Sequence, residues 1–249
     1  MRSFWEAVGC PQARTRTPAR LAGGLISDYI WIMLQVQFPS GVASLKNLPL
    51  QQAIMALFAR SAAMGVLQSE RVTAFDPASL RRLIDALQHW SLLRSAAVDL
   101  APLLHKSAAE LDQKTAKQMV AEVSRLVASL DHSPSPATEW ATMREVFGDE
   151  ALGRLTDVAE TSLRRYAAGS RETPQRVAER LHWLAMVVAD LAGAYNRFGI
   201  RRWFERPRAQ LDGRSPRQAL GEDWGVDDEL VAKVRALAAA LTGAQPLAA

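Results

Sequence analysis

Four histidines, one cysteine and one run of three acids are the side chains in this sequence best suited to moving protons or holding metal. His89, His105, His132 and His182 fall on separate predicted elements, none at the i, i+4 spacing with a glutamate that builds a helical zinc site. Cys10 has no second Cys or His at ligand spacing, and as the only cysteine it excludes an intramolecular disulfide framework. No Gly-x-Ser-x-Gly elbow, phosphate loop or dinucleotide fingerprint is present, and Gly23-Gly24 lacks the preceding strand that such a loop needs. Asp227-Asp228-Glu229 stands before an apolar helix, where acids cap a positive N-terminus more readily than they bind metal. His89, Asp99 and His105 share one stretch and are the only footing for an enzyme in the N-terminal half, yet they read as capping or solvated groups. The inventory assigns no catalytic residue, no metal ligand and no cofactor, and points to a binding protein.

Spacing becomes informative at residues 149–169, DEALGRLTDVAETSLRRYAAG. A helix-turn-helix needs an apolar residue, then a small one that lets two helices approach, then apolar anchors that bury the turn and the inner face of the second helix. Leu152, Gly153, Val158, Leu163 and Tyr166 fill those places in order. Thr161, Ser162, Arg164 and Arg165 are left on the outer, groove-facing side, with Arg171 just beyond. Arginine reads guanine edges or binds phosphate, and hydroxyls fix position on the backbone. Thr156 replaces a usual apolar residue. Asp157 takes the turn position that favours glycine and tolerates its left-handed backbone, while Glu160 adds a charge that repels phosphate. The bland alternative is a helical hairpin with a solvated arginine face.

The elements that must position this motif are helical. The chain has 249 residues, a net charge of +4 and 49% hydrophobic residues, enough for a packed core in one large or two ordinary domains. Arginine dominates the basic residues, which favours an acidic or phosphate-bearing partner. Residues 1–20, with Arg2, Arg14, Arg16 and Arg20, read as a flexible basic arm. The apolar run from Leu21 to Phe38 resembles a membrane segment only superficially. Asp28 at mid-span would cost about 2.5–3.5 kcal/mol, so a buried helix is expected instead. Residues 21–130 read as a helical N-terminal domain of unknown type. Asp76-Pro77 caps a helix with Leu80, Leu83, Ile84 and Leu87 on one face, and a later stripe carries Met119, Val120, Val123, Leu126, Val127 and Leu130. Two Ser-Pro steps make 131–137 the expected linker. Residues 138–196 hold the helix-turn-helix and a long helix from about Gln175 to Tyr195, and 197–249 form a small C-terminal helical domain. With no alternating strands, the fold expected is all-α.

After the motif come the Pro174 helix start and then GIRRWFERPRAQLDGRSPRQAL, residues 199–220, ahead of a helix from Asp227 to Leu241. Trp203-Phe204, Pro207, Leu211, Gly213 and Pro216, together with Ser162-Leu-x-Arg165-Tyr166-x-x-Gly169 upstream, resemble the pattern of the Xre/MbcA/ParS antitoxin family. The resemblance covers residues 149–249. Arg208 stands where that pattern has Asn, and nothing in it accounts for the long N-terminal domain. It implies a cytoplasmic antitoxin of a type II toxin-antitoxin pair that binds and occludes a cognate toxin of the RES type, which consumes NAD⁺. It also implies that the complex represses its own promoter through operator DNA, as a homodimer or a higher toxin-antitoxin complex.

The residues expected to meet the toxin are Trp203, Phe204, Pro207, Leu211, Leu237, Leu241, Thr242 and Gly243. On physical grounds alone, Trp203 and Phe204 serve equally as core of a proline-bounded corner or as interface. The stripe Leu230, Val234, Leu237 and Leu241 has the pattern of a helix laid in a partner's groove. The rival reading is a stand-alone helix-turn-helix transcription regulator whose N-terminal domain senses a ligand or dimerises.

Overall fold

Asn47 accepts the Leu50 amide at 3.0 Å and opens helix α1, Leu48–Ala63, whose Leu50, Ile54, Leu57 and Phe58 are fully buried. The computed structural model describes residues 47–67, 77–90, 92 and 112–242. Every regular element among them is a helix, as the lack of alternating strands predicts. Helix α2, Pro77–His89, buries Leu83 and Leu87. Helix α3, Gln113–Asp131, starts where Asp112 accepts the Thr115 amide at 2.7 Å, and it buries Met119, Val123, Leu126, Val127 and Leu130 as one stripe. The arm at 1–20, the 21–38 segment, Asp76, Asp99 and His105 lie outside the described residues. Among the described residues no helix is long and apolar enough to cross a membrane.

The expected linker is a tight corner. Asp131 ends α3, Ser135 is buried, and Pro136 begins α4, Pro136–Phe147. The Thr138 hydroxyl donates to the Ser135 carbonyl at 3.1 Å. One hydrophobic core runs from Leu50 to Ala238 across this corner. The Ser-Pro steps therefore end one helix and start the next inside a single packed body, because proline favours the first turn and disfavours continuation of the preceding helix.

Helix α7, Gln175–Ala192, is the axis of that body. Leu181, Leu184, Ala185, Met186, Val187, Val188 and Leu191 have no exposed surface, so this helix is surrounded on nearly all sides. Its polar residues are paired accordingly. Asp190 receives Arg60 of α1 at 2.8 Å, and Arg60 reaches Asp131 at 3.1 Å. Burial opposes the charge on Arg60, but the Asp190 and Asp131 carboxylates outweigh it and hold the guanidinium above its ordinary value. Arg235, from helix α10 (Glu229–Ala239), meets the same Asp131 oxygen at 3.0 Å. Residues from the two ends of the described chain thus share one carboxylate pair.

Candidate functional site: the helix-turn-helix and the module behind it

Helices α5, Asp149–Thr156, and α6, Glu160–Ala167, flank a three-residue turn. A Cβ built on Gly153 would stand 2.7 Å from the Val158 carbonyl oxygen, so only glycine allows this approach. Asp157 adopts the left-handed conformation at φ 57° and ψ 49°, as its place in the turn demands. Thr156, in the position that usually carries an apolar side chain, is fully buried and its hydroxyl donates to the Leu152 carbonyl at 2.8 Å. That bond satisfies the hydroxyl without a partner from another helix. Leu152 and Leu163 are sealed in the core, and Tyr166 stacks on Trp140 of α4 at 6.0 Å.

The outward residues divide into two groups. Thr161, Arg165 and Arg171 are exposed and Ser162 is half-buried, while the Arg171 guanidinium rests over the Tyr166 ring at 5.4 Å. Arg164 is already engaged: it donates to Asp149 at 3.2 Å and to Glu160 at 2.9 Å. Asp149 also receives Arg144 at 2.7 Å, and this bond, more than the one from Arg164, holds its carboxyl below the usual range. An open cleft of about 540 Å³ lies beside the turn, lined by Glu150, Asp157, Glu160 and Glu222 as well as Arg154 and Arg217. The potential near the start of α6 is therefore more acidic than its arginines alone imply.

Behind the motif, Arg180 of α7 is 3% exposed and acts as a clamp. Its Nε and Nη2 donate to the Trp224 carbonyl at 2.9 and 2.7 Å, and Nη1 donates to the Thr156 carbonyl at 3.2 Å. Trp224 in turn donates from its indole nitrogen to the Leu155 carbonyl at 2.9 Å and packs against Trp183 at 5.0 Å. The last carbonyls of α5 thus meet a buried cation and an indole N–H. The spacing pattern did not reveal Arg180, since one arginine on an amphipathic helix reads as a solvated charge.

The module behind this clamp contains helix α8, Arg197–Glu205, a 3₁₀ turn at Ala209–Leu211 and helix α9, Pro216–Leu220. Trp203 is 1% exposed, Phe204 2% and Leu211 fully buried. Phe204 meets Phe147 of α4 at 5.2 Å, and the Arg208 guanidinium lies over the Trp203 ring at 4.6 Å. These side chains are core in this conformation, which corrects the expectation that Trp203, Phe204 and Leu211 face a toxin. Pro207 is exposed. The turn over 206–213 is closed by Arg208, whose amide donates to the Arg214 carbonyl and whose carbonyl accepts from Gly213, both at 3.0 Å.

In α10 the inward face is Val231, Val234 and Ala238, while Leu237 is half-buried and Leu241 is 42% exposed. Val234 therefore belongs to the core and not to a face offered to a partner. The Thr242 backbone ends the final 3₁₀ turn; its side chain and Gly243 lie outside the described residues. Asp228, expected to cap α10, instead accepts the Gly225 amide at 2.7 Å. Of the histidines, His182 is buried between Glu139 at 2.6 Å and the Asp131 carbonyl at 3.1 Å, and the His132 ring meets the Ala128 carbonyl at 2.8 Å. Among the described residues no group of three acids, histidines or cysteines is placed to hold a metal. Comparison with protein-family models, with curated proteins and with solved structures finds no match to this chain.

Proposed function

We propose that this protein is the antitoxin of a type II toxin-antitoxin pair, cytoplasmic, binding a RES-type, NAD⁺-consuming toxin and blocking it sterically. The observation that carries the reading is the Arg180 clamp. It ties the end of α5 in the closely packed helix-turn-helix to Trp224, just beyond the compact 197–220 module, which supports a reading in which one unit carries both a DNA contact and a second surface. The ordered resemblance from Leu152 to Pro216 supplies the class of partner.

In this reading Arg165, Thr161, Ser162 and Arg171 contact the operator backbone and base edges, and a dimer matches two half-sites. The toxin meets the exposed parts of the C-terminal module, with Pro207, Leu237, Leu241 and the segment from Thr242 onward nearest to it. Trp203, Phe204 and Leu211 act indirectly, by holding that surface in shape.

The test is co-expression with the product of the adjacent reading frame, read by growth and by co-purification. The reading expects a neighbour that arrests growth alone and forms a harmless complex with this chain. A neighbour that is harmless alone and does not co-purify overturns it, and leaves the stand-alone regulator.

A further inference from the structure

Helix α8 carries charges on two rows, and the row of Arg197, Arg201 and Glu205 is occupied. Arg197 pairs with Glu145 at 3.2 Å, and Arg201 donates to the Val146 carbonyl and, at 3.1 Å, to that of Glu145, so this row is turned to the end of α4. Glu205 is held by Arg217 of α9 at 2.9 Å. Beside it runs a second row, Phe198 and Arg202 at i, i+4, followed by Arg206, the residue that ends the helix. All three are exposed, Phe198 at 68%. Neither arginine has a carboxylate at ion-pair distance among the described residues. Arg208, next to Arg206, is likewise without an acid, because Asp212 is paired with Arg214 at 3.6 Å. Burial, with the like charge of Arg206 adding to it, holds Arg208 below the ordinary arginine value.

An aromatic ring fixed on a rigid helix beside unpaired guanidinium groups has the composition of an interface hot spot. We propose that the Phe198–Arg202–Arg206 row is the docking face for the toxin, which presents carboxylates to the two arginines and an apolar socket to the ring. This rests on the antitoxin reading and places its contact one helical face away from the buried Trp203 and Phe204. Charge complementarity fixes the sign of the partner. The ring favours protein over nucleic acid: two or three free cations release few counterions, and a phosphate backbone offers nothing to bury a phenyl group against.

The test measures binding of the full-length chain to the purified product of the adjacent reading frame, for the wild type, Phe198→Ala, the double variant Arg202→Glu/Arg206→Glu, and Arg125→Glu on α3 as a distant charge control. Because all three side chains are exposed and neither arginine is in an ion pair among the described residues, the variants should melt with the wild type. The expected result is about ten-fold weaker binding for Phe198→Ala and about a hundred-fold or more for the double variant, with Arg125→Glu unchanged. Binding within two-fold of wild type for both row variants overturns the docking face while leaving the antitoxin reading intact. Loss confined to binding of operator DNA, or to self-association in sedimentation, also overturns it and assigns the row to that contact. A wild type that neither binds nor neutralises the neighbour removes the antitoxin reading and this face together.

Discussion

Arg180 and Trp224 hold one another twice over: the guanidinium donates two hydrogen bonds to the Trp224 carbonyl and lies 5.2 Å from the centre of its ring. The same guanidinium reaches the Thr156 carbonyl at the end of α5. Removing it strands two carbonyls, each at a cost of about 1–3 kcal/mol. Arg180→Met should lower the unfolding free energy measured in urea by an amount in that range or above and loosen the loop at 221–228 to hydrogen exchange. Unchanged stability would show that the clamp contributes nothing.

Gly153 is the narrowest point of the helix-turn-helix. Gly153→Ala places a methyl 2.7 Å from the backbone oxygen of Val158, and backbone cannot swing aside as a side chain can. The expected cost is about 1–3 kcal/mol from overpacking, read as a lower melting temperature. A variant as stable as wild type would mean that α5 and α6 separate freely.

Asp149 and Glu160 together neutralise Arg164. Asp149→Asn weakens that hold and leaves Glu160 as the one carboxylate paired with it among the described residues. Binding to the DNA upstream of the gene should tighten, and the slope of log affinity against log salt should steepen by up to about one. Arg165→Ala, at an exposed arginine, should weaken binding and flatten the slope. If neither substitution moves the salt dependence, α6 is not the DNA-facing helix.

Glu139 is fully buried against His182, and burial raises its carboxyl above the ordinary value, with the His182 hydrogen bond opposing the rise. A raised acid holds a proton in the native state that the unfolded chain has already lost. Its contribution is therefore complete below about 4.5, the ordinary glutamate value, and falls away as pH rises through the raised one. Glu139→Gln keeps a donor for the imidazole and removes the titration. Melting temperatures from pH 4 to 8 should decline less in the variant than in wild type over the window above 4.5. Equal slopes would place the proton elsewhere.

The sequence made the helix-turn-helix legible because its constraint is local: Leu152, Gly153, Asp157, Val158 and Leu163 lie within twelve positions, and each does what its type and place require. The stripe from Met119 to Leu130 was legible for the same reason. Long-range pairing was not. Arg60, Asp131, Asp190 and Arg235 form one ion-pair cluster around the buried Asp190, yet each looks like an ordinary surface charge on its own helix, and the partners of Arg180 stand 24 and 44 positions away. The aromatic pair illustrates the limit from the other side. Composition left Trp203 and Phe204 divided between core and interface, and their burial in the packed chain, with Phe147 of α4 against Phe204, decides for the core. The neighbouring Phe198 differs from Phe204 by its place on the helix alone, and that place leaves it exposed.

The most direct measurement of the central claim is the rate of NAD⁺ loss caused by the purified product of the adjacent reading frame as this chain is titrated in. The expected result is a linear fall to zero at a fixed molar ratio, with protection lost in the Arg202→Glu/Arg206→Glu variant at matched concentration. A rate that stays constant with this chain in excess would contradict it.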